Sequence, residues 1–201
     1  MSVLVGKQAP DFTASAVSSS GDMVDNYNLY ENINNKYALL FFYPLDFTFV
    51  CPSELIGLDK RIHQFRNKNV EVIGISIDSH FTHNAWRNTP ISKGGIGAVK
   101  YALVSDLNHN IVRSYGIEHP EAHVALRGAF LIDAQKKVRA QLVNDLPIGR
   151  NIEELLRLVD ALQFHESHGE VCPVNWAEGK KGMIPSSEGV AEYLKVNAEK
   201  L

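Results

Sequence analysis

The chain has 201 residues, enough for one domain with a buried core, and its 45% hydrophobic and 21% charged residues are typical of a globular protein. Its net charge is −3, and no block of one sign runs along the chain, which argues against a nucleic-acid or membrane-surface role. The first eight residues show no secretory signal, and the longest apolar run, 37–45, is too short to span a bilayer, so we expect a cytoplasmic protein.

The apolar segments alternate between strand-like and helix-like patterns, which predicts an α/β fold with a mixed sheet. In chain order we predict a strand at 36–43, a helix from Pro52, a strand at Val70–Ile77 and a helix at 79–88. A short helix capped by Asp106 and ended by Gly116 follows, and then two strands, Arg127–Asp133 and Val138–Val143, joined by a hairpin turn. The last two elements are a helix opened by a capping box of Asn151 and Glu154 and a helix at 187–199.

Two of these helices have a clear apolar face. The first buries Leu55, Leu58, Ile62 and Phe65, and the helix after the capping box turns Leu155, Leu158, Val159 and Leu162 inward. At Gly169 the composition changes to a segment punctuated by Gly, Lys and Pro. We therefore divide the chain into a body, 1–168, and a C-terminal arm, 169–201, of the same structural domain.

Cys51 lies between an apolar strand and a helix, in the stretch Pro44-Leu45-Asp46-Phe47-Thr48-Phe49-Val50-Cys51-Pro52. Because Pro52 suits the first helical position, Cys51 is expected at the helix cap, where free N–H groups and the helix dipole stabilise a thiolate. The Thr48 hydroxyl can reach the same point, and the Pro44 ring can shield it from water. The alternative is an inert core cysteine, because free cysteine is among the most buried residue types.

Arg127 stands in an otherwise apolar segment, Val124-Ala125-Leu126-Arg127-Gly128-Ala129-Phe130. A charge there is costly unless an anion meets it. Its guanidinium could stabilise an anion, or a negative charge that develops during a reaction, at a nearby group. The alternative is a surface arginine at the start of an edge strand.

The pattern Pro-x-x-x-Thr-x-x-Cys after a strand and before a helix resembles the peroxiredoxin family, in particular the two-cysteine alkyl hydroperoxide reductase type. The resemblance runs from Ala9-Pro10-Asp11-Phe12 to the last helix. It implies a thioredoxin-like fold and a thiol-dependent peroxidase whose nucleophile is Cys51, with Thr48, Pro44 and Arg127 in the catalytic site. Glu54 and Arg150 match the family's supporting residues and would orient Arg127.

Cys172, in Gly169-Glu170-Val171-Cys172-Pro173, lies in the arm, where we expect a mobile and accessible thiol. Such a thiol could attack a sulfenic acid at Cys51 and release water. This segment resembles the resolving segment of typical two-cysteine peroxiredoxins, which implies closure onto the partner chain of a dimer. The residues alone leave closure within one chain equally open.

The resemblance also implies a hydroperoxide substrate, and the lack of a Gly-rich phosphate-binding loop predicts that the chain binds no flavin or nicotinamide cofactor. The resemblance further implies a reductant, which is thioredoxin or a dedicated flavoprotein, and a homodimer that assembles into a ring of five dimers. Gly94, Gly95 and Gly97 match a glycine loop of peroxide-sensitive members that packs on the C-terminal helix. Those members have Tyr-Phe in that helix, whereas this chain has Tyr193-Leu194, so we expect intermediate sensitivity to over-oxidation.

Three pairs of histidines have a spacing that suits metal ligands on a helix. They are His80/His83, His119/His123 and His165/His168. No further ligand clusters with any pair, so we interpret all six as solvated surface residues and expect no metal. Two other functions stay open beside the peroxidase, a chaperone-like holdase and a peroxide sensor that relays oxidation to a partner.

Overall fold

Short runs of apolar and β-branched residues form one seven-stranded sheet in the computed structural model, which describes residues 3–200. Three residues lie outside the described part of the chain: Met1, Ser2 and Leu201. The first two belong to the N-terminal stretch in which we find no secretory signal. The strands are β1 (Thr13–Val17), β2 (Met23–Asn28), β3 (Tyr37–Phe42), β4 (Val70–Ser76), β5 (Ala102–Ser105), β6 (Arg127–Ile132) and β7 (Val138–Asn144). Their order across the sheet is β2-β1-β5-β4-β3-β6-β7.

The sheet is mixed, as predicted. Strands β3, β4 and β5 run parallel, and the pairings of β1 with β2 and β5, and of β6 with β3 and β7, are antiparallel. The strands predicted at 36–43, 70–77, 127–133 and 138–143 are all present within one or two residues. Strands β1, β2 and β5 were not predicted, because β5 has only four residues and β2 is largely exposed and polar.

The helices are α1 (Leu29–Asn32), α2 (Cys51–Lys60), α3 (Ile62–Asn67), α4 (His80–Asn88), α5 (Asn110–Ser114), α6 (Ile152–His168) and α7 (Ser187–Asn197). The single helix predicted from Pro52 is two helices, because the backbone leaves helical geometry at Arg61, with φ −104° and ψ 2°. All four predicted apolar residues of this region are nevertheless buried. Among the described residues, no helix is both long enough and apolar enough to cross a membrane.

The contacts divide the chain into two compact units, Met1–Ile152 and Glu153–Leu201. The first contains the whole sheet, and the second contains nearly all of α6, the segment after it and α7. This boundary lies earlier than the one we predicted at residue 168, because α6 makes its own contacts with the segment that follows it. The predicted division into body and arm stays a prediction.

Helix α6 buries Leu155, Val159 and Leu162 as predicted, but Leu158 is only half-buried. Leu156 is buried instead. The Glu154 carboxylate, predicted to reach back to the start of the helix, accepts hydrogen bonds of 2.6 and 2.7 Å from the Arg157 guanidinium. The apolar face of α6 is therefore rotated slightly from the one that the sequence pattern indicates.

The centre of the first unit is packed around β3, whose residues from Ala38 to Phe42 are buried on both faces. Phe42, Tyr115 and Phe130 form an aromatic cluster in which the ring centroids lie 5.0–5.7 Å apart. Close packing of this kind leaves the end of β3 firmly placed. The loop 43–50, which leads to Cys51, begins at that end.

Asp106 opens helix α5, as the sequence predicts, but it acts from four residues ahead of the helix. Its buried carboxylate accepts hydrogen bonds from the backbone N–H groups of Ile111 at 2.9 Å and Val112 at 2.7 Å. Gly116, with φ +68°, follows the end of the helix. These bonds satisfy donors that a helix N-terminus otherwise leaves unpaired.

We expect Asp106→Ala to lower the free energy of unfolding by about 1–2 kcal/mol, because two buried N–H groups lose their acceptor. Urea denaturation measures the loss. The matched control is Asn108→Ala, since the exposed Asn108 side chain accepts from the N–H of Asn110 at the start of the same helix. An equal, small loss in both variants would contradict a special role for Asp106.

Candidate active site

Cys51 is the first residue of α2, and its side chain is fully buried. The chain reaches it through the loop 43–50, and Pro52 occupies the first turn of the helix. The cap residue, Val50, has no side chain that could satisfy the free N–H groups there. The helix end therefore offers its positive partial charge to the sulfur.

Two donors meet the Cys51 sulfur from outside α2. The Thr48 hydroxyl lies 2.9 Å from Sγ and 2.8 Å from the Leu45 carbonyl oxygen, and its single proton can go to either. An Nη atom of Arg127 lies 3.4 Å from Sγ. The predicted catalytic residues Cys51, Thr48 and Arg127 are thus brought together, although Arg127 lies far away in the sequence.

Arg127 is buried, which excludes the alternative of a surface residue at the start of an edge strand. It is the first residue of β6, and its Nε donates to the Leu146 carbonyl oxygen at 2.6 Å. The Nη atom that faces the sulfur also donates to Glu54 Oε2 at 2.8 Å. The guanidinium is therefore fixed on both sides.

Glu54 lies between Arg127 and Arg150, an arrangement that the predicted support of Arg127 requires. Arg150 donates to Glu54 from its backbone N–H at 2.8 Å, from Nε at 2.9 Å and from Nη at 3.0 Å. A further Nη donates to the Gly128 carbonyl oxygen at 2.6 Å, and the guanidinium lies 3.3 Å from the centre of the Phe41 ring. No sequence pattern indicates that two backbone carbonyl groups, those of Gly128 and Leu146, also accept from the two guanidiniums.

Burial alone would raise the pKa of Glu54, but hydrogen bonds and charge from Arg150, together with the charge of Arg127, outweigh it and lower that pKa. Glu54 is therefore ionised in the folded protein. Two guanidiniums and one carboxylate leave one positive charge in a buried site. An anion at the Cys51 sulfur, or on an oxygen beside it, would balance that charge.

Pro44 is buried two residues after β3. Its place between the strand and the loop fits the predicted role of shielding the site from water. Phe47 and Phe49, on the same loop, are exposed over 51% and 97% of their surface. The loop thus exposes the Phe49 ring and part of the Phe47 ring, while the Thr48 hydroxyl faces the sulfur.

Cys172 lies in the second unit and is less accessible than the sequence suggests. It is half-buried, and its Sγ donates to the Ala161 carbonyl oxygen of α6 at 3.4 Å. Burial raises the pKa of Cys172, and the nearby charge of Arg157 partly opposes this rise. Backbone hydrogen bonds of 2.9 Å between Val171 and Met183 fix the same segment. Both cysteines are free thiols in this structure.

The predicted regulatory residues lie in two different units, the three glycines in the first and the Tyr193-Leu194 pair in the second. Gly94 and Gly97 have φ values of +82° and +67°, which favour glycine, and Gly95 requires glycine because a Cβ there would overlap the Thr89 carbonyl group. Tyr193 and Leu194 lie on α7, with Tyr193 half-buried and Leu194 exposed. Packing of the glycine loop on this helix stays a prediction.

The interpretation of the six paired histidines as surface residues is wrong for His83, which is completely buried and bonded to Asp46. Asp46, the acidic residue that contacts His83, lies on a loop far away in the sequence, so the helical spacing of the histidines does not indicate this burial. His80 and His119 are half-buried, and His123, His165 and His168 are exposed. Within residues 3–200, no group of three or more potential ligands is placed to bind a metal ion.

Comparisons with known proteins agree with this geometry. The model of the AhpC/TSA family matches residues 5–141, and that of the C-terminal domain of 1-Cys peroxiredoxin matches residues 161–195, a range that here includes Cys172. The chain is 52% identical to alkyl hydroperoxide reductase C of Buchnera aphidicola, covering 98% of this chain and 100% of the relative. It is 53% identical to the Helicobacter pylori protein of the same name, covering 99% and 100%.

Among solved structures, the reduced 2-Cys peroxiredoxin of Plasmodium vivax matches with a TM-score of 0.93 and 50% identity, covering 97% of this chain and 100% of that one. Family model, relatives and fold therefore agree over nearly the whole length. The chain belongs to the AhpC/TSA family and is a thiol-dependent peroxidase with a thioredoxin-like fold.

Proposed function

We propose that Cys51 is the thiol that reduces hydroperoxides. The observation that carries this proposal is the convergence of the Thr48 hydroxyl and an Arg127 Nη on a buried sulfur at a helix N-terminus. The thiolate attacks the terminal oxygen of ROOH, the O–O bond breaks, and the alkoxide takes a proton. The products are ROH and a sulfenic acid at Cys51.

Ionisation of the thiol is a small part of this rate. An ordinary cysteine thiol is already a few per cent ionised near neutral pH, so complete ionisation gains only about tenfold. The larger contribution must come from donors that meet the developing charge, each typically worth about 10²–10³-fold. Arg127 and Thr48 are those donors, and the net positive charge of the buried site favours the anionic leaving group.

Cys172 then resolves the sulfenic acid. Its sulfur attacks the sulfur of Cys51, water leaves, and a disulfide forms that an external dithiol reduces. We propose that this disulfide joins two chains of a homodimer, that the dimers form rings of five, and that the protein works in the cytoplasm. The support is the family, the relatives named as alkyl hydroperoxide reductases and the solved 2-Cys peroxiredoxin. Thioredoxin or a flavoprotein disulfide reductase supplies the electrons.

We also propose that the glycine loop of Gly94, Gly95 and Gly97 and the Tyr193-Leu194 pair of α7 set the sensitivity to over-oxidation. The support is the glycine-requiring conformation of the loop and the partial burial of Tyr193. Leu194 offers a smaller apolar contact than an aromatic ring would. Opening of the site is then easier, and sulfinic acid forms less often than in chains with the aromatic pair.

We expect Cys51→Ser to abolish peroxide reduction and Cys172→Ser to reduce one equivalent and then stop with a sulfenic acid at Cys51. The reason is that only Cys51 meets the donors of the buried site. Counting thiols after a single turnover, with mass spectrometry of each cysteine, measures both variants. Loss of the first turnover in Cys172→Ser alone would reverse the two roles.

We expect the oxidised protein to run as a covalent dimer on non-reducing gels, with Cys51 of one chain joined to Cys172 of another. Peptide mapping of the dimer band identifies the bond, and Cys172→Ser, which must stay monomeric on the gel, is the control. The same peptide pair recovered from a monomer-sized band would contradict closure between chains.

We expect Glu54→Gln to slow the oxidation of Cys51 by about 10²-fold, because Arg127 loses the carboxylate that aims it. The variant should also change the acid stability. Since the folded-state pKa of Glu54 is lowered from 4.5, its stabilisation is present above that pH and is lost as the pH falls through the folded-state value.

The free energy of unfolding of the unmodified chain should therefore fall more steeply below pH 4.5 than that of Glu54→Gln. Urea denaturation at a series of pH values measures this difference. The exposed Glu31 provides the control variant Glu31→Gln, which should follow the unmodified chain. Parallel acid curves for Glu54→Gln and the unmodified chain would contradict the ion-pair account.

A further inference from the structure

A second buried polar cluster lies in the first unit, and the reaction proposed above does not use it. It consists of Tyr43, Asp46 and His83, and we call it the Asp46 cluster. Asp46 Oδ2 lies 2.8 Å from His83 Nδ1, and the Tyr43 hydroxyl donates to Asp46 Oδ1 at 2.8 Å. The side chains of Asp46 and His83 are both fully buried.

The proton count of the cluster follows from its geometry. His83 Nε2 faces the Val104 carbonyl oxygen at 3.2 Å, so this nitrogen must bear a proton. Nδ1 faces a carboxylate oxygen, so a second proton lies between the ring and Asp46. Burial raises the pKa of Asp46, and the hydrogen bond and charge of His83 partly oppose this rise. The pair is therefore neutral as a whole, and removal of one member leaves the other without its partner.

Asp46 belongs to the loop 43–50, which ends at Cys51 and contains Thr48. The cluster connects this loop to helix α4 through His83 and to the end of β3 through Tyr43. A second contact from α4 lies three residues further on, where the Trp86 ring lies 5.7 Å from that of Phe47. The backbone N–H of Asp46 also donates to Asp78 Oδ2, at 2.8 Å.

The loop needs such anchors because part of it is strained. Phe47, the residue between Asp46 and Thr48, has φ +54°, a conformation that non-glycine residues rarely adopt. A strained loop relaxes unless its surroundings hold it. The position of the Thr48 hydroxyl relative to the Cys51 sulfur depends directly on that conformation.

We propose that His83 is a positioning residue of this peroxidase, which through Asp46 holds the loop 43–50 in the conformation that places Thr48 Oγ1 against Cys51 Sγ. The inference deepens the proposed function and rests on it. A consequence follows for the two steps. Because the Cys51 sulfur is completely buried, disulfide formation requires the site to open, whereas the peroxide step requires it to stay formed. Loss of the anchor should slow the first step and accelerate the second.

The test compares Asp46→Ala and His83→Leu with Asp46→Asn. An asparagine keeps every hydrogen bond of the cluster without charge, since its oxygen accepts from Tyr43 and its amide donates to Nδ1 of a neutral His83. Stopped-flow measurement of Cys51 oxidation, in a Cys172→Ser background, gives the peroxide step. Disulfide formation in the two-cysteine chain, followed by quenching and mass spectrometry, gives the second step.

We expect Asp46→Ala and His83→Leu to slow the peroxide step by about tenfold or more. The same variants should speed disulfide formation severalfold, while Asp46→Asn leaves both rates within about twofold. Asp106→Ala is the matched control, because it removes a buried carboxylate of the same unit remote from Cys51 in the sequence and should leave both rates unchanged. Should His83→Leu fail to fold, the comparison of Asp46→Ala with Asp46→Asn decides alone.

Two results would overturn the inference. One is a change of both steps in the same direction, as general destabilisation would give. The other is an Asp46→Asn variant as impaired as Asp46→Ala. The unmodified chain is measured alongside to test the proposed function itself. If Cys51 were not the peroxidatic thiol, peroxide would not consume the Cys51 thiol of the unmodified chain, whereas failure of the present inference leaves that reaction intact.

Discussion

The buried carboxylate of Glu54 is the interaction on which the active site depends. It accepts from Arg127 on one side and from three donors of Arg150 on the other. Neither guanidinium could stay in so apolar an interior without it, since an unpaired buried charge costs several kcal/mol. One carboxylate serves two cations, so the remaining positive charge is available at the sulfur. Helix α2, strand β6 and the segment that contains Arg150 are thereby tied to one point.

The members of this site could be predicted because local patterns agree with the family resemblance, which alone indicates Glu54 and Arg150. Pro52 after Cys51 indicates a helix start, and Arg127 in an apolar run indicates a buried charge that needs a counter-ion. Cys51 and Arg127, however, come together only because of the order of the strands in the sheet, and no local sequence pattern predicts that order. The backbone oxygens of Leu146 and Gly128 that steer the two arginines are equally invisible, because any residue type offers a carbonyl group.

The strands and the buried histidine that the sequence does not predict also depend on contacts between distant segments. Strand β5 is too short to show an alternation, and β2 is stabilised by pairing with β1 rather than by an apolar face of its own. His83 shares a helical spacing with His80, which indicated a solvated pair. Its burial depends on Asp46, which lies on a loop before β4 and comes close only when the sheet has formed. Patterns along a helix report neighbours on that helix and nothing about those across the fold.

The burial of Cys172 has a consequence for how the chain behaves among the other thiols and oxidants of its surroundings. Because burial raises the pKa of Cys172, less of this thiol is ionised than in an ordinary cysteine, and a protonated thiol reacts slowly with electrophiles in solution. Cys51 is protected differently, because its sulfur has no contact with solvent. Neither free thiol is therefore in a state that reacts readily with an oxidant in solution, and access to each sulfur limits its reactions as much as its ionisation does.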